Sequence, residues 1–180
     1  AAHSPGAWSE NGGTREQSGA CRHTQAAILS FHPVKHICCG EGGAVLTNDE
    51  ELADRIVHLR SHGITRPDEP DGARPWFYEQ TELGWNYRLN DIQSALGISQ
   101  LARLDQFLER RRVLAYRYQN ALSTAPFSDI FSLPLVNPGH AWHLYVIRFH
   151  ATGQRDKAHL FLKERGIHTQ IHYVPIYRHP

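Results

Sequence analysis

The chemistry open to this chain centres on Lys35, in the run Ser30-Phe31-His32-Pro33-Val34-Lys35. A lysine amine forms a Schiff base with an aldehyde when it is held at a fixed point and can reach its neutral form. Burial and neighbouring positive charge favour that form. Lys35 follows an apolar run, Ala27-Ile28-Leu29-Ser30-Phe31, on a loop stiffened by Pro33. Ser30 closes that run and carries a hydroxyl suited to a phosphate oxygen. The turn Gly40-Glu41-Gly42-Gly43 lets backbone reverse tightly or approach a ligand closely. Residue type alone leaves plainer readings standing: a solvated lysine, a strand-end serine and an ordinary hairpin turn.

A second constellation is His32, His36, Cys38 and Cys39, all of types that ligate zinc. Adjacent cysteines do not match the usual ligand pairs, and no second pair follows at finger-like distance. No metal site is therefore expected. The three cysteines, an odd number, give no disulfide framework and read as reduced thiols.

The elements that must position these groups can be read from periodicity. Residues 1–26 are polar, with Gly12-Gly13 as a turn signal, and read as loop with a short strand. Residues 27–31 and 44–47 read as two buried strands around the lysine loop. Asn48 and Asp49 suit the cap of a helix carrying Leu52, Ile56, Val57 and Leu59, ended by Gly63. Residues 64–83 hold three prolines and read as a long loop. Asn90 opens the longest helical pattern, through Ile92, Leu96, Leu101 and Leu104 to Leu122, ended by Pro126. Strands are expected over 143–149 and 169–174, with a helix over 154–165 between them. The fold class is α/β, with a domain boundary near residue 125.

Composition bounds the rest. The 180 residues are 41% hydrophobic and 21% charged with a net charge of +1, so no basic surface for nucleic acid or anionic lipid is expected. No apolar run approaches a membrane span, and a cytoplasmic protein is the default expectation. Methionine is absent, including at position 1. The chain is accordingly expected to be an internal fragment.

The run from Ser30 through Lys35 to Ala44 resembles the lysine motif of the DegT/DnrJ/EryC1/StrS sugar aminotransferases. The likeness continues through Val45-Leu46-Thr47-Asn48-Asp49, Arg60-Ser61-His62-Gly63-Ile64 and Leu83-Gly84-Trp85-Asn86-Tyr87-Arg88-Leu89-Asn90-Asp91-Ile92-Gln93, and resumes over 170–177. The resemblance implies a fold-type-I, pyridoxal 5'-phosphate-dependent enzyme, typically a homodimer, that aminates a nucleotide-linked keto-sugar. It implies that residues 1–125 belong to the cofactor-binding large domain with its connecting helix, and that residues 126–180 begin the small C-terminal α/β domain. The segments Arg60–Ile64 and His172–Tyr177 look most like the subgroup serving pseudaminic acid biosynthesis. That subgroup converts a UDP-linked N-acetyl 4-keto-6-deoxy sugar to its 4-amino product, with glutamate as amino donor.

By the same resemblance, Lys35 anchors the cofactor and then moves a proton as base and acid, and Ser30 binds the cofactor phosphate. Asn86 and Arg88 fall in the segment that in relatives reaches the neighbouring subunit's cofactor phosphate, and an amide and a guanidinium suit that anion. His3 stands where relatives have Gln or His near the cofactor ring hydroxyl. His172 and Tyr173 fall where relatives contact the sugar nucleotide. Cys38 and Cys39 depart from the threonines common there. The acidic partner of the pyridine nitrogen is expected upstream of Ala1, so this polypeptide alone is expected to be inactive. A non-catalytic, binding or regulatory member of the family is the alternative reading.

Overall fold

In a computed structural model of the chain, residues 3–66 and 74–180 are described. Short strands and four helices follow one another along the chain, and the residues fall into two units. The first comprises residues 1–113 and 137–143; the second comprises 114–136 and 144–180. The change falls inside a helix, between Val113 and Leu114, whereas the sequence suggested a boundary near residue 125.

The first unit opens with a hairpin, β1 (Trp8–Asn11) and β2 (Thr14–Gln17), in register Asn11↔Thr14. Its two turn residues, Gly12 and Gly13, have φ of +57° and +80°, the pair of positive values that a two-residue hairpin turn matching strand twist requires. Next come β3 (Ala27–Ser30) and β4 (Gly43–Leu46), antiparallel with Ser30 opposite Gly43. Both strands were legible in the sequence, but the burial expected of them is not found: no residue of either is buried, and Ile28 and Val45 are exposed.

Helix α1 (Glu50–Leu59) starts where expected, because the Asp49 carboxylate accepts from the Leu52 N–H at 3.0 Å. Glu50 and Glu51 in its first turn and His58 in its last suit the helix dipole. The Gly63 N–H closes it by donating to the His58 carbonyl. The expected loop over 64–83 is in part ordered structure: β5 (Ile64–Thr65) pairs with β6 (Glu79–Gln80). Residues 67–73 of that stretch, including Pro67, Pro70 and Gly72, lie outside the described residues.

The single long helix expected from Asn90 is two helices, α2 (Asp91–Leu101) and α3 (Leu104–Leu122). Asn90 does cap α2, in a reciprocal capping box with Gln93. The break comes where Arg103 N–H bonds to Gln100 O, a three-residue closure that tightens the turn and re-aims the chain. The buried side chains of this unit are His36, Ile37, Cys39, Leu108, Ala141 and Trp142. Neither α1 nor α2 buries a residue fully.

The second unit holds the C-terminal part of α3, a 3-10 turn at Phe127–Asp129, β7 (Phe131–Ser132), β8 (Arg148–Phe149) and α4 (Gln154–Lys163). Phe131 packs edge-on against Phe149 with ring centroids 5.6 Å apart, and the Tyr145 hydroxyl donates to Gln119 at 2.9 Å. Helix α4 agrees with the expected 154–165. The two long strands expected here do not form. Only Arg148–Phe149 of 143–149 pairs, and 169–174 is unpaired chain leading to a 3-10 turn at Ile176–Arg178. Strand-like alternation needs a neighbouring strand to accept its backbone bonds, and no described residue offers one to these segments.

Candidate functional site

Lys35 sits half-buried on the connection between β3 and β4. That connection is a shaped loop. Phe31 N–H donates to Gly42 O at 2.8 Å, Cys39 N–H to Phe31 O at 3.0 Å, and Lys35 N–H to His32 O at 2.9 Å. The last bond makes Pro33-Val34 the centre of a tight turn, as the proline suggested. Ser30, at the end of β3, accepts a long bond of 3.5 Å from His32 N–H, so its own hydroxyl proton is not committed by that contact.

Immediately after Lys35 the loop turns inward. His36 is only 3% exposed, and Ile37 and Cys39 are buried beside it. The Nε2 of His36 lies 2.8 Å from the carbonyl oxygen of Ala141. A carbonyl only accepts, so Nε2 carries the proton. The ring's other nitrogen, Nδ1, is buried without a partner.

Ala141 belongs to the segment 137–143, which returns to this unit from far along the chain. Trp8 N–H donates to Gly139 O at 2.9 Å, and the Trp8 carbonyl lies where a Cβ on residue 139 would fall, so only glycine fits. Arg111 of α3 donates through Nη1 to the carbonyls of Trp142 and His143, at 3.0 and 3.3 Å. Trp142 itself is buried and left-handed, at φ +51°. These contacts deliver the His143 ring to a place between two others, with centroids 4.9 Å from His3 and 5.4 Å from His36.

The electrostatics follow from that packing. Burial, and next the Lys35 charge, push His143 down to about 4, with His36, His3 and Arg111 adding to the effect. His3 is lowered by desolvation first, then by Lys35 and the terminal amine. Burial also lowers His36, against the opposing effect of its bond to Ala141, and lowers His140. The rings around the lysine are thus held neutral, in a setting already positive from Lys35 and Arg111.

The structure therefore places His3, through His143, in one row with His36 of the lysine loop, and puts Ser30 at the end of the strand that leads into that loop. Asn86 and Arg88 lie elsewhere in the unit. Arg88 Nε donates to Asn86 Oδ1 at 2.8 Å, and both line a groove of about 1250 Å³ with Phe31, Glu41, Gly42 and Arg60. Lys35 is not among the residues lining it. His172 and Tyr173 are exposed residues of the second unit, their rings edge-to-face at 4.2 Å. Sequence reading assigned no role to His143, His140 or Arg111, and weighed His36 only as a candidate metal ligand, which it rejected. The tripeptide Trp142-His143-Leu144 was read as the start of a strand, and nothing in local spacing ties it to a lysine so distant in sequence.

The four residues weighed as metal ligands have other contacts. His32 faces Glu41 at 3.8 Å, His36 bonds Ala141, and Cys38 accepts from Gly40 N–H at 3.2 Å. Among the described residues no three His, Cys, Asp or Glu side chains converge on a point that could hold a metal ion. All three cysteines are free thiols. No helix among the described residues is long and apolar enough to cross a membrane.

Lys35 thus lies on a turn after a strand, and its charge acts on the His3 and His143 rings. The chain belongs to the DegT/DnrJ/EryC1/StrS aminotransferase family, whose sequence model matches residues 1–180. It is 41% identical over 153 residues to the UDP-4-amino-4,6-dideoxy-N-acetyl-beta-L-altrosamine transaminase of Campylobacter jejuni, which covers 84% of this chain and 39% of that protein. Its fold is similar to that of Helicobacter pylori PseC, an aminotransferase of pseudaminic acid biosynthesis. The TM-score there is 0.85 with 34% identity, over 99% of this chain and 45% of PseC. It is similar also to DesV of S. venezuelae, at TM-score 0.74 and 35% identity over 91% of this chain and 40% of DesV. The chain thus spans under half the length of these relatives. Aminotransferases of this family use pyridoxal 5'-phosphate.

Proposed function

We propose that this chain is the lysine-bearing part of a pyridoxal-phosphate-dependent sugar aminotransferase, with Lys35 as the anchoring and proton-moving residue. The observation that carries the reading is the placement of Lys35 on the tight turn after β3, where its charge acts on the His3 and His143 rings. A half-buried amine is held there beside rings that stay uncharged.

The residues present fit the cofactor by the chemistry of their donors. Lys35 offers an amine for the aldehyde, Ser30 a hydroxyl for the phosphate, and His3 an imidazole for the ring hydroxyl. When bound, pyridoxal phosphate supplies the electron sink that stabilises negative charge at the carbon losing a proton. Lys35 would take and return that proton through its side-chain amine, within hydrogen-bond reach of the bound group. His3 stays neutral beside it and orients the ring. Pro33 and the bond from Lys35 N–H to His32 O fix the direction from which the amine works.

Asn86 and Arg88 are proposed to serve the phosphate of a second subunit's cofactor. Their placement in a groove that Lys35 does not line supports a role away from this chain's own lysine. His172 and Tyr173 are proposed to contact the sugar nucleotide. The substrate proposed is a UDP-linked N-acetyl 4-keto-6-deoxy sugar, converted to its 4-amino product with glutamate as donor. It is supported by the likeness to the Campylobacter jejuni transaminase. A cytoplasmic homodimer that binds neither nucleic acid nor membrane is part of the same reading. So is the assignment of residues 1–125 to the large domain and 126–180 to the small one.

The test is made on the full-length protein. It is purified, inspected for visible cofactor absorbance, reduced with borohydride and digested, and the labelled peptide is sequenced. Label on Lys35, together with amination of a UDP-linked 4-keto sugar in preference to dTDP-linked ones, is expected. A colourless protein that never takes up pyridoxal phosphate overturns the proposal.

A further inference from the structure

The residue that most needs a role is His143. It is not on the lysine loop, and it reaches the His36 ring of that loop only because an entire segment is clamped down to bring it there. Three different elements make the clamp: β1 through Trp8, the lysine loop through His36, and α3 through Arg111. The segment is braced internally as well. Gly139 N–H bonds Asn137 Oδ1 at 2.8 Å, and Trp142 N–H bonds His140 Nδ1 at 2.8 Å. A glycine forced by close approach and a left-handed tryptophan are further constraints spent on the same placement.

What this placement achieves is a row of three imidazoles, His36, His143 and His3, with the buried His36 at one end and the exposed His3 at the other. His36 is locked through its bond to Ala141. His143 rests on it and in turn backs His3, whose ring makes no hydrogen bond among the described residues. From this we infer that His143 is a positioning residue of the Lys35 site: its ring, wedged between His36 and His3, holds the His3 imidazole in place beside the lysine loop to which His36 belongs. The inference rests on the reading of Lys35 as the cofactor lysine only for its functional consequence. The wedge itself is a property of the protein without cofactor.

The wedge works through its ring and must stay neutral. Lys35, His3, His36 and Arg111 all face it from the lysine loop, the N-terminal segment and α3, and His140 lies on its own segment. A proton on His143 would add a charge beside those of Lys35 and Arg111, which is consistent with its lowered pKa. The buried, unpartnered Nδ1 of His143 likewise shows a ring placed for contact and not for a hydrogen bond from that atom.

Two substitutions in the full-length protein separate ring from nitrogen: His143→Phe keeps a flat ring, and His143→Ala removes it. The first readout needs no cofactor. Histidine ring carbons are labelled and the His3 resonance is titrated by NMR. In the unsubstituted protein and in His143→Phe, His3 is expected to titrate below the ordinary histidine range. In His143→Ala it is expected to move back toward that range, as its backing ring is lost. The second readout is pyridoxal-phosphate retention by equilibrium dialysis. Loss of one ring contact is expected to weaken it about three- to tenfold in His143→Ala, with His143→Phe near the original value.

Equal damage from both substitutions would mean that the nitrogen is the working group, and would overturn the wedge. An unchanged His3 titration in His143→Ala would overturn it also. If the protein takes up no pyridoxal phosphate at all, the function proposed above fails while the His3 titration still decides the wedge. Thermal unfolding of each variant guards against misfolding, and His143→Leu, which fills the space with an apolar group, stands in should His143→Ala not fold.

Discussion

The Nε2–H of His36 donates to the carbonyl of Ala141 at 2.8 Å, across a separation of 105 residues. Both residues are at most 3% exposed, so the bond is made away from water, where an unmade partner is costly. It is the tie that fastens segment 137–143 to the residue following Lys35.

Replacing His36 by Phe removes the donor and leaves the Ala141 oxygen buried without it. A loss of about 1–3 kcal/mol in unfolding free energy is expected, read from the urea midpoint. Because the tie also seats His143, cofactor retention should weaken in the same variant. His36→Asn, too short to reach, should behave likewise.

The lowered histidines make a prediction for pH. A histidine whose folded pKa lies below its unfolded value binds its proton more readily in the unfolded chain. Stability then rises with pH across the window between the two values. For His143 that window runs from about 4 up to the ordinary value of 6.5, and His36, His140 and His3 act in the same direction. The thermal midpoint should therefore fall as pH drops below about 6.5 and level off near 4. His143→Phe should flatten this dependence. A midpoint that climbs on acidification would contradict the packing described.

Helix α2 passes close to the lysine loop at Gly97, where an added Cβ would come within 2.7 Å of the Cys39 sulfur. Gly97→Ala gains roughly 1 kcal/mol of helix propensity. The crowding of a buried thiol costs about 1–3 kcal/mol, so net destabilisation is expected. Adding Cys39→Ala should relieve the crowding and recover stability. A denaturation double-mutant cycle measures this coupling directly.

Gln93 joins the start of α2 to the glycine turn beyond Lys35. Its Oε1 accepts from the Asn90 N–H and its Nε2 donates to Glu41 O, both at 3.3 Å. Asn90→Ala should cost about 1 kcal/mol through the lost cap. Gln93→Ala breaks the other half of the box and frees the turn. Hydrogen exchange at Glu41 and Gly42 should speed up in Gln93→Ala and stay near its original rate in Asn90→Ala.

Local signals were legible wherever a few neighbouring residues decide the outcome. Asp49 and Asn90 capped the helices expected of them, Gly12-Gly13 turned a hairpin, and the apolar runs at 27–31 and 44–47 paired around the lysine loop. The strands expected over 143–149 and 169–174 failed for a different reason. Their alternation is real, but pairing depends on a neighbour that the pattern cannot name. The break between α2 and α3 likewise has no glycine or proline to announce it.

The sequence by itself determined the lysine, its loop and the family, because motif order and turn chemistry are properties of adjacent residues. Only the tertiary structure decided what surrounds the lysine. His143, Arg111 and the carbonyl of Ala141 come to it from distant parts of the chain, and the bonds that fix them leave no trace in local spacing. The same packing decides the charge of the rings: a histidine's type allows either state near neutral pH, and burial beside Lys35 and Arg111 selects the neutral one.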